Sequence, residues 1–224
     1  MKFRNCSYRM TDIKSSADKA ATKAAHIISD VFSPILMPTY AMTAAMWLTI
    51  MAVLPLAARI KAIVGVFTIT ALVPFLFIMV MIRLGRISDA SISERAQRPA
   101  PYCVSVACYL SAGFFLMSMR APIWLSAFFF GAAVVSLLSL LITHWWKISA
   151  HAGAAGGVVG AFFWLASHGL LFHPVFWLSL SIIVTGLVCW SRLFLLRHTV
   201  LQVFAGAVMA FAVEYAMLSL LSMF

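Results

Sequence analysis

The sequence predicts an all-α protein, a polytopic transmembrane helical bundle of about six to seven spans. Three observations carry that expectation. The 224 residues are 64% hydrophobic and only 10% charged, whereas soluble domains carry roughly a quarter charged residues. The apolar residues fall into seven runs, each near the ~20 residues that cross a bilayer. The remaining polarity is gathered into a basic leader and three short segments between runs.

The leader, residues 1–33, carries Lys2, Arg4, Arg9, Lys14, Lys19 and Lys23 against Asp12, Asp18 and Asp30. It does not read as a signal peptide, because no apolar core or small-residue cleavage site follows at the expected distance. Ala20 to Ile28 has the pattern of a short amphipathic helix lying along a membrane surface. Residues 34–224 read as a single transmembrane domain, with apolar runs at 35–57, 62–83, 102–119, 122–143, 154–172, 174–190 and 199–222. Tight hairpins are expected at Ala58–Lys61, Arg120–Pro122 and His173–Pro174, where proline opens the next helix or closes the last.

Three polar loops are left, at 84–101, 144–153 and 191–202. Two spans separate the first loop from the second, and two more separate the second from the third. An even count returns the chain to the same face, so all three loops are expected together at one end of the bundle. Two spans also precede the first loop, which puts the basic leader on that face. The positive-inside rule makes it cytoplasmic, and the expected location is a bacterial inner membrane.

The net charge of +10 is read as topology and attraction to anionic headgroups, so the expected partners are membrane lipids and not nucleic acid. The four cysteines, Cys6, Cys103, Cys108 and Cys189, are scattered, with no C-x-x-C pair and no zinc-like spacing. Neither a metal nor another cofactor is expected.

The stretch Ser191–Gln202, S-R-L-F-L-L-R-H-T-V-L-Q, holds the densest chemistry. Cations at the edge of a bilayer are expensive and mark function. If the chain is helical from Thr199, Gln202 stands four residues after His198 and can reach its imidazole. A guanidinium beside an oriented imidazole suits gripping phosphate and attacking it.

Taken together, the three loops resemble the signature of the type 2 phosphatidic acid phosphatase family, membrane enzymes that dephosphorylate lipid phosphates and share a site with vanadium haloperoxidases. The family pattern runs K-x6-R-P, P-S-G-H, then S-R-x5-H-x3-D. Here the first element keeps Arg98-Pro99 but has Ser91 in place of lysine. The second is Ile148-Ser149-Ala150-His151, and the third is Ser191-Arg192, His198 and then Gln202 in place of aspartate. The likeness covers about residues 84 to 210.

The resemblance implies a phosphatidic acid phosphatase type 2-like core and a lipid phosphate substrate, either a prenyl (di)phosphate or a phosphatidic acid-like lipid. It implies His198 as the nucleophile and His151 as the acid for the leaving alkoxide. Arg98 and Arg192 would hold phosphate oxygens, with Ser149 and the Ala150 amide as further donors. Arg95 or Lys147 would supply the charge of the missing lysine, and Lys147 would share a helix face with His151. Gln202 would fix the His198 tautomer without contributing charge. The alternative is a protein that binds or moves a lipid phosphate without hydrolysing it.

The other polar residues have plainer readings. Glu94 is expected to pair with Arg95 or Arg98, and Asp89 is the other acid of the later loops. His144, His168 and His173, beside tryptophans, read as interfacial belt residues. Gly153, Gly156, Gly157 and Gly160 suit close helix packing. Glu214, a lone acid in the last run, is expected to pair with a cation of another helix or to face a polar cavity.

Overall fold

The structure, a computed structural model, describes residues 18–88 and 94–223. Most of the leader, with Cys6, and the loop positions Asp89 and Ser91 lie outside the described residues. Among the described residues the chain is helical, without a strand, and six helices are long and apolar enough to cross a membrane.

An amphipathic helix, α1, covers residues 18–31. It buries Ala25 and Ser29, which are four residues apart and so share one face. A short turn leads to α2 (Met37–Leu48), with Pro38 in its first turn. The six long helices follow: α3 (Leu56–Arg83), α4 (Pro99–Ser118), α5 (Ile123–Thr143), α6 (Ala150–Ser167), α7 (Pro174–Phe194) and α8 (Val200–Leu221). Pro99 and Pro174 stand in first turns, where a missing N–H costs nothing. Within α3 a π turn at Thr68–Leu72 ends two residues before Pro74. The wider turn makes room for a ring that would otherwise strike the carbonyl four residues back.

The expected hairpin at Ala58–Lys61 is not where the chain turns. The first run splits, and the turn lies at 49–55. Thr49 caps a 3₁₀ turn at Ile50–Val53 by accepting from the Met51 amide at 3.2 Å, and Pro55 then starts α3. Ala58–Lys61 is ordinary helix, because Arg59 keeps its charge at the rim by stacking over Trp47 at 4.9 Å.

Although α2 has only 12 residues, the chain around it crosses the bundle. Ser29 contacts His151 and Arg192 at one end. At the other, Phe172 N–H donates to the Leu48 carbonyl at 2.8 Å, and Thr49 bridges Leu171. The parity expected from the sequence is therefore kept, with α2 as a short crossing beside six long ones.

The bundle is built around α6, whose apolar window is 56% buried, whereas that of α7 is 11% buried and faces outward. α6 and α8 pack closely through small residues. A methyl group added at Gly160 would stand 2.6 Å from the Phe211 carbonyl oxygen, and one at Gly156 would overlap the backbone of Ala207. Close approach of this kind replaces the hydrophobic drive that helices lack in lipid.

Candidate functional site

The site lies at the end of the bundle where α4, α6 and α8 begin and α7 finishes. Arg98 is the N-cap of α4, set at this boundary by Pro99, which starts the helix where no N–H is needed. Ser149 is the N-cap of α6, its hydroxyl accepting from the Ala152 amide at 3.4 Å, and this places His151 in the first turn. Thr199 caps α8 in a capping box with Gln202 and leaves His198 just outside the helix.

Arg192 was expected in a loop but stands on the last turn of α7, which continues through Phe194. Leu193 and Phe194 extend the apolar pattern, and a cation in a last turn also favours the helix dipole. The chain then reverses with Leu196 at φ 52°, a left-handed residue that ends the helix.

Arg98, Ala150, His151, Arg192 and His198 all line one cavity of about 490 Å³. The four charged or imidazole side chains come from different stretches of chain, and Arg98, Arg192 and His198 are each buried. Arg98 Nη1 donates to the Ile148 carbonyl at 3.0 Å. Arg192 Nη1 donates to Ser29 Oγ at 2.6 Å, while its Nε is buried without a hydrogen-bond partner among the described residues. A buried unsatisfied guanidinium N–H is costly unless an anion or water completes it.

The histidine geometry follows from the helix cap. Gln202 Oε1 accepts the Thr199 amide at 3.2 Å, which fixes which end of the side-chain amide is oxygen. The same oxygen lies 3.1 Å from His198 Nδ1, so Nδ1 carries the proton and Nε2 is left with its lone pair. Burial pushes His198 down to about 3, and Arg98, Arg192 and Lys147 push the same way against the Gln202 bond. The ring is therefore neutral at ordinary pH. Lys147 is also lowered, first by burial and then by the neighbouring arginines.

The other expected residues fall elsewhere. Ser149, Arg95, Lys147 and Gln202 are not among the residues lining the cavity. The Ser149 hydroxyl serves as a helix cap, and Arg95 Nη1 donates to the Trp145 carbonyl at 2.9 Å. Lys147 does not share a helix face with His151, because α6 starts only at Ala150, after the Ser149 cap. Glu94 Oε2 accepts from the Gln97 amide at 2.8 Å. His168 stacks on Trp164 at 4.2 Å, and neither His144, His168 nor His173 lines the cavity.

The sequence reading missed Ser29. Its hydroxyl accepts from Arg192 and lies 3.4 Å from His151 Nε2, and Asp30 beside it also lines the cavity, so α1 meets the site through both residues. A basic amphipathic stretch gives no sign of that contact. The arrangement as a whole is a pocket of two guanidiniums, two imidazoles and the Asp30 carboxylate above a largely apolar chamber. Comparison with models of known protein families, with curated proteins and with solved structures returns no match.

Proposed function

We propose that the chain is an integral membrane phosphatase acting on lipid phosphates, a divergent relative of the type 2 phosphatidic acid phosphatases. One observation carries the reading: Arg98, His151, Arg192 and His198 line a single cavity whose remaining walls are largely apolar. Phosphoryl transfer asks mainly for positive charge around the phosphate oxygens and for in-line placement. Arg98 and Arg192 would hold those oxygens, the unpaired Arg192 Nε among the donors. The His198 Nε2 lone pair attacks phosphorus while the bond to the lipid oxygen breaks. His151, protonated as the substrate binds, gives that oxygen its proton and recovers one from the water that then cleaves the phosphohistidine, releasing inorganic phosphate and free His198. Before this the Ser29 hydroxyl yields its place on Arg192 to the substrate.

The test is phosphate release by purified protein from a panel of phosphatidic acids and prenyl phosphates. Release is expected from the wild type and should be abolished in His198→Ala. No release from any member, with the variant indistinguishable, would sink the hydrolase.

A second reading is favoured by Gln202, a neutral amide on His198 Nδ1 where the family has aspartate. The chain would then hold or move a lipid phosphate without cleaving it. Gln202→Asp separates the two. A carboxylate stabilises the phospho-imidazolium, so the rate should rise by about tenfold or more in a weakened catalyst, while continued silence would favour the binder.

A further inference from the structure

The cavity does not end in hydrocarbon. Glu214 lies at its floor with Ala210, Tyr109 and Phe128, 1% exposed, and Oε1 has no hydrogen-bond partner among the described residues. Its seat is built for it. A methyl group at Gly131 would stand 2.7 Å from Glu214 Oε2, so only glycine there leaves the carboxyl its room. Ser105, on the same cavity wall, instead gives its hydroxyl to the Pro101 carbonyl of its own helix at 2.9 Å. Glu214 has no such outlet.

From Val200, beside the cationic mouth, to Glu214 the helix climbs 14 residues, roughly 21 Å at ~1.5 Å each. Half of a ~30 Å hydrocarbon core is about 15 Å. A tail of ordinary acyl length therefore stops above the floor and does not reach the carboxyl. A longer tail reaching down the cavity lays hydrocarbon against an unpartnered carboxyl and offers it no hydrogen bond, which disfavours its binding.

We propose that Glu214 is a specificity-determining floor that limits tail length and selects acyl-length lipid phosphates over long polyprenyl ones. The inference rests on the reading of the cationic mouth as the phosphate end.

The test uses full-length protein and saturated lysophosphatidic acids of graded chain length, with a long polyprenyl phosphate as the extreme. Affinity is read by thermal stabilisation, and phosphate release is measured separately. Wild-type affinity should rise with length and then fall once the tail reaches the floor. Glu214→Leu should abolish the fall, improving the longest ligands about tenfold or more relative to the shortest, while Glu214→Gln, still polar, keeps it. Should Glu214→Leu fail to fold, Gly131→Ala serves instead: it pushes the carboxyl into the chamber and should move the fall to shorter chains.

An unchanged length profile in the folded variants would overturn the proposal, as would a uniform loss at every length. Length-dependent affinity without phosphate release would sink the hydrolase and leave the floor standing. Release without length dependence would do the reverse.

Discussion

At the scale of single residues, the site turns on which histidine nitrogen is bare, and a helix cap decides it. The pairing of His198 with Gln202 was legible from their spacing. The pairing of Ser29 with Arg192 and His151 was not, because those contacts span 163 and 122 residues. No local pattern can announce a hydroxyl that becomes functional only when a distant helix docks. The depressed His198 value also makes a pH prediction. An ordinary histidine, as in the unfolded chain, takes up its proton near pH ~6.5, but folded His198 resists until about 3. As pH falls through that window the unfolded state binds a proton that the folded state does not, so His198 lowers stability progressively. Nitrogen chemical shifts of labelled His198 should stay those of neutral imidazole from pH 8 to about 5, and His198→Gln should flatten the acid loss of stability. A mid-range titration of His198 in the unliganded protein would refute this.

At the scale of elements, α1 shows how little holds the leader helix to the bundle. Besides a small apolar contact of Ile28 and Phe32 with Met37, Ala155 and Val188, the Tyr40 hydroxyl donates to the Val31 carbonyl at 3.0 Å, and the tie to the site itself runs through Ser29. Ser29→Ala removes the acceptor from Arg192 Nη1 and should cost about 1–3 kcal/mol, seen as a lower unfolding temperature in detergent. Added inorganic phosphate should recover more of that stability in the variant than in the wild type, because Arg192 is then free to take it. An equal response would mean that the hydroxyl and the anion do not compete. The glycine run of α6 was readable as a packing face because small residues at helical spacing leave few other uses. The break at Thr49–Pro55 was not, since an uninterrupted apolar run hides a turn whose capping is supplied by one threonine and one proline.

At the scale of the whole molecule, the all-helical bundle and the gathering of polar segments at one end were both written in the order of the runs. Parity survives the splitting of the first run because the chain around α2 still crosses from one end to the other. Cysteines placed in a cysteine-free background test it. Trp145→Cys and Leu196→Cys, at positions 78% and 91% exposed, lie at the site end, and Val53→Cys, at a position 77% exposed, lies at the opposite end. On the proposed orientation, with the site end cytoplasmic, an impermeant maleimide added outside sealed, right-side-out vesicles should label only Val53→Cys. Labelling of all three from one side would undo the topology.

The brevity of α2 has a consequence for the lipids around it. Its 12 residues rise only ~18 Å, well short of the ~30 Å hydrocarbon slab. Annular lipids on that flank must shorten, or let their headgroups sink, to match it. Met37 and Pro38 of this helix also border the chamber. A bilayer that thins beside the chamber wall would let a sunken headgroup approach the arginines sideways without leaving its own leaflet.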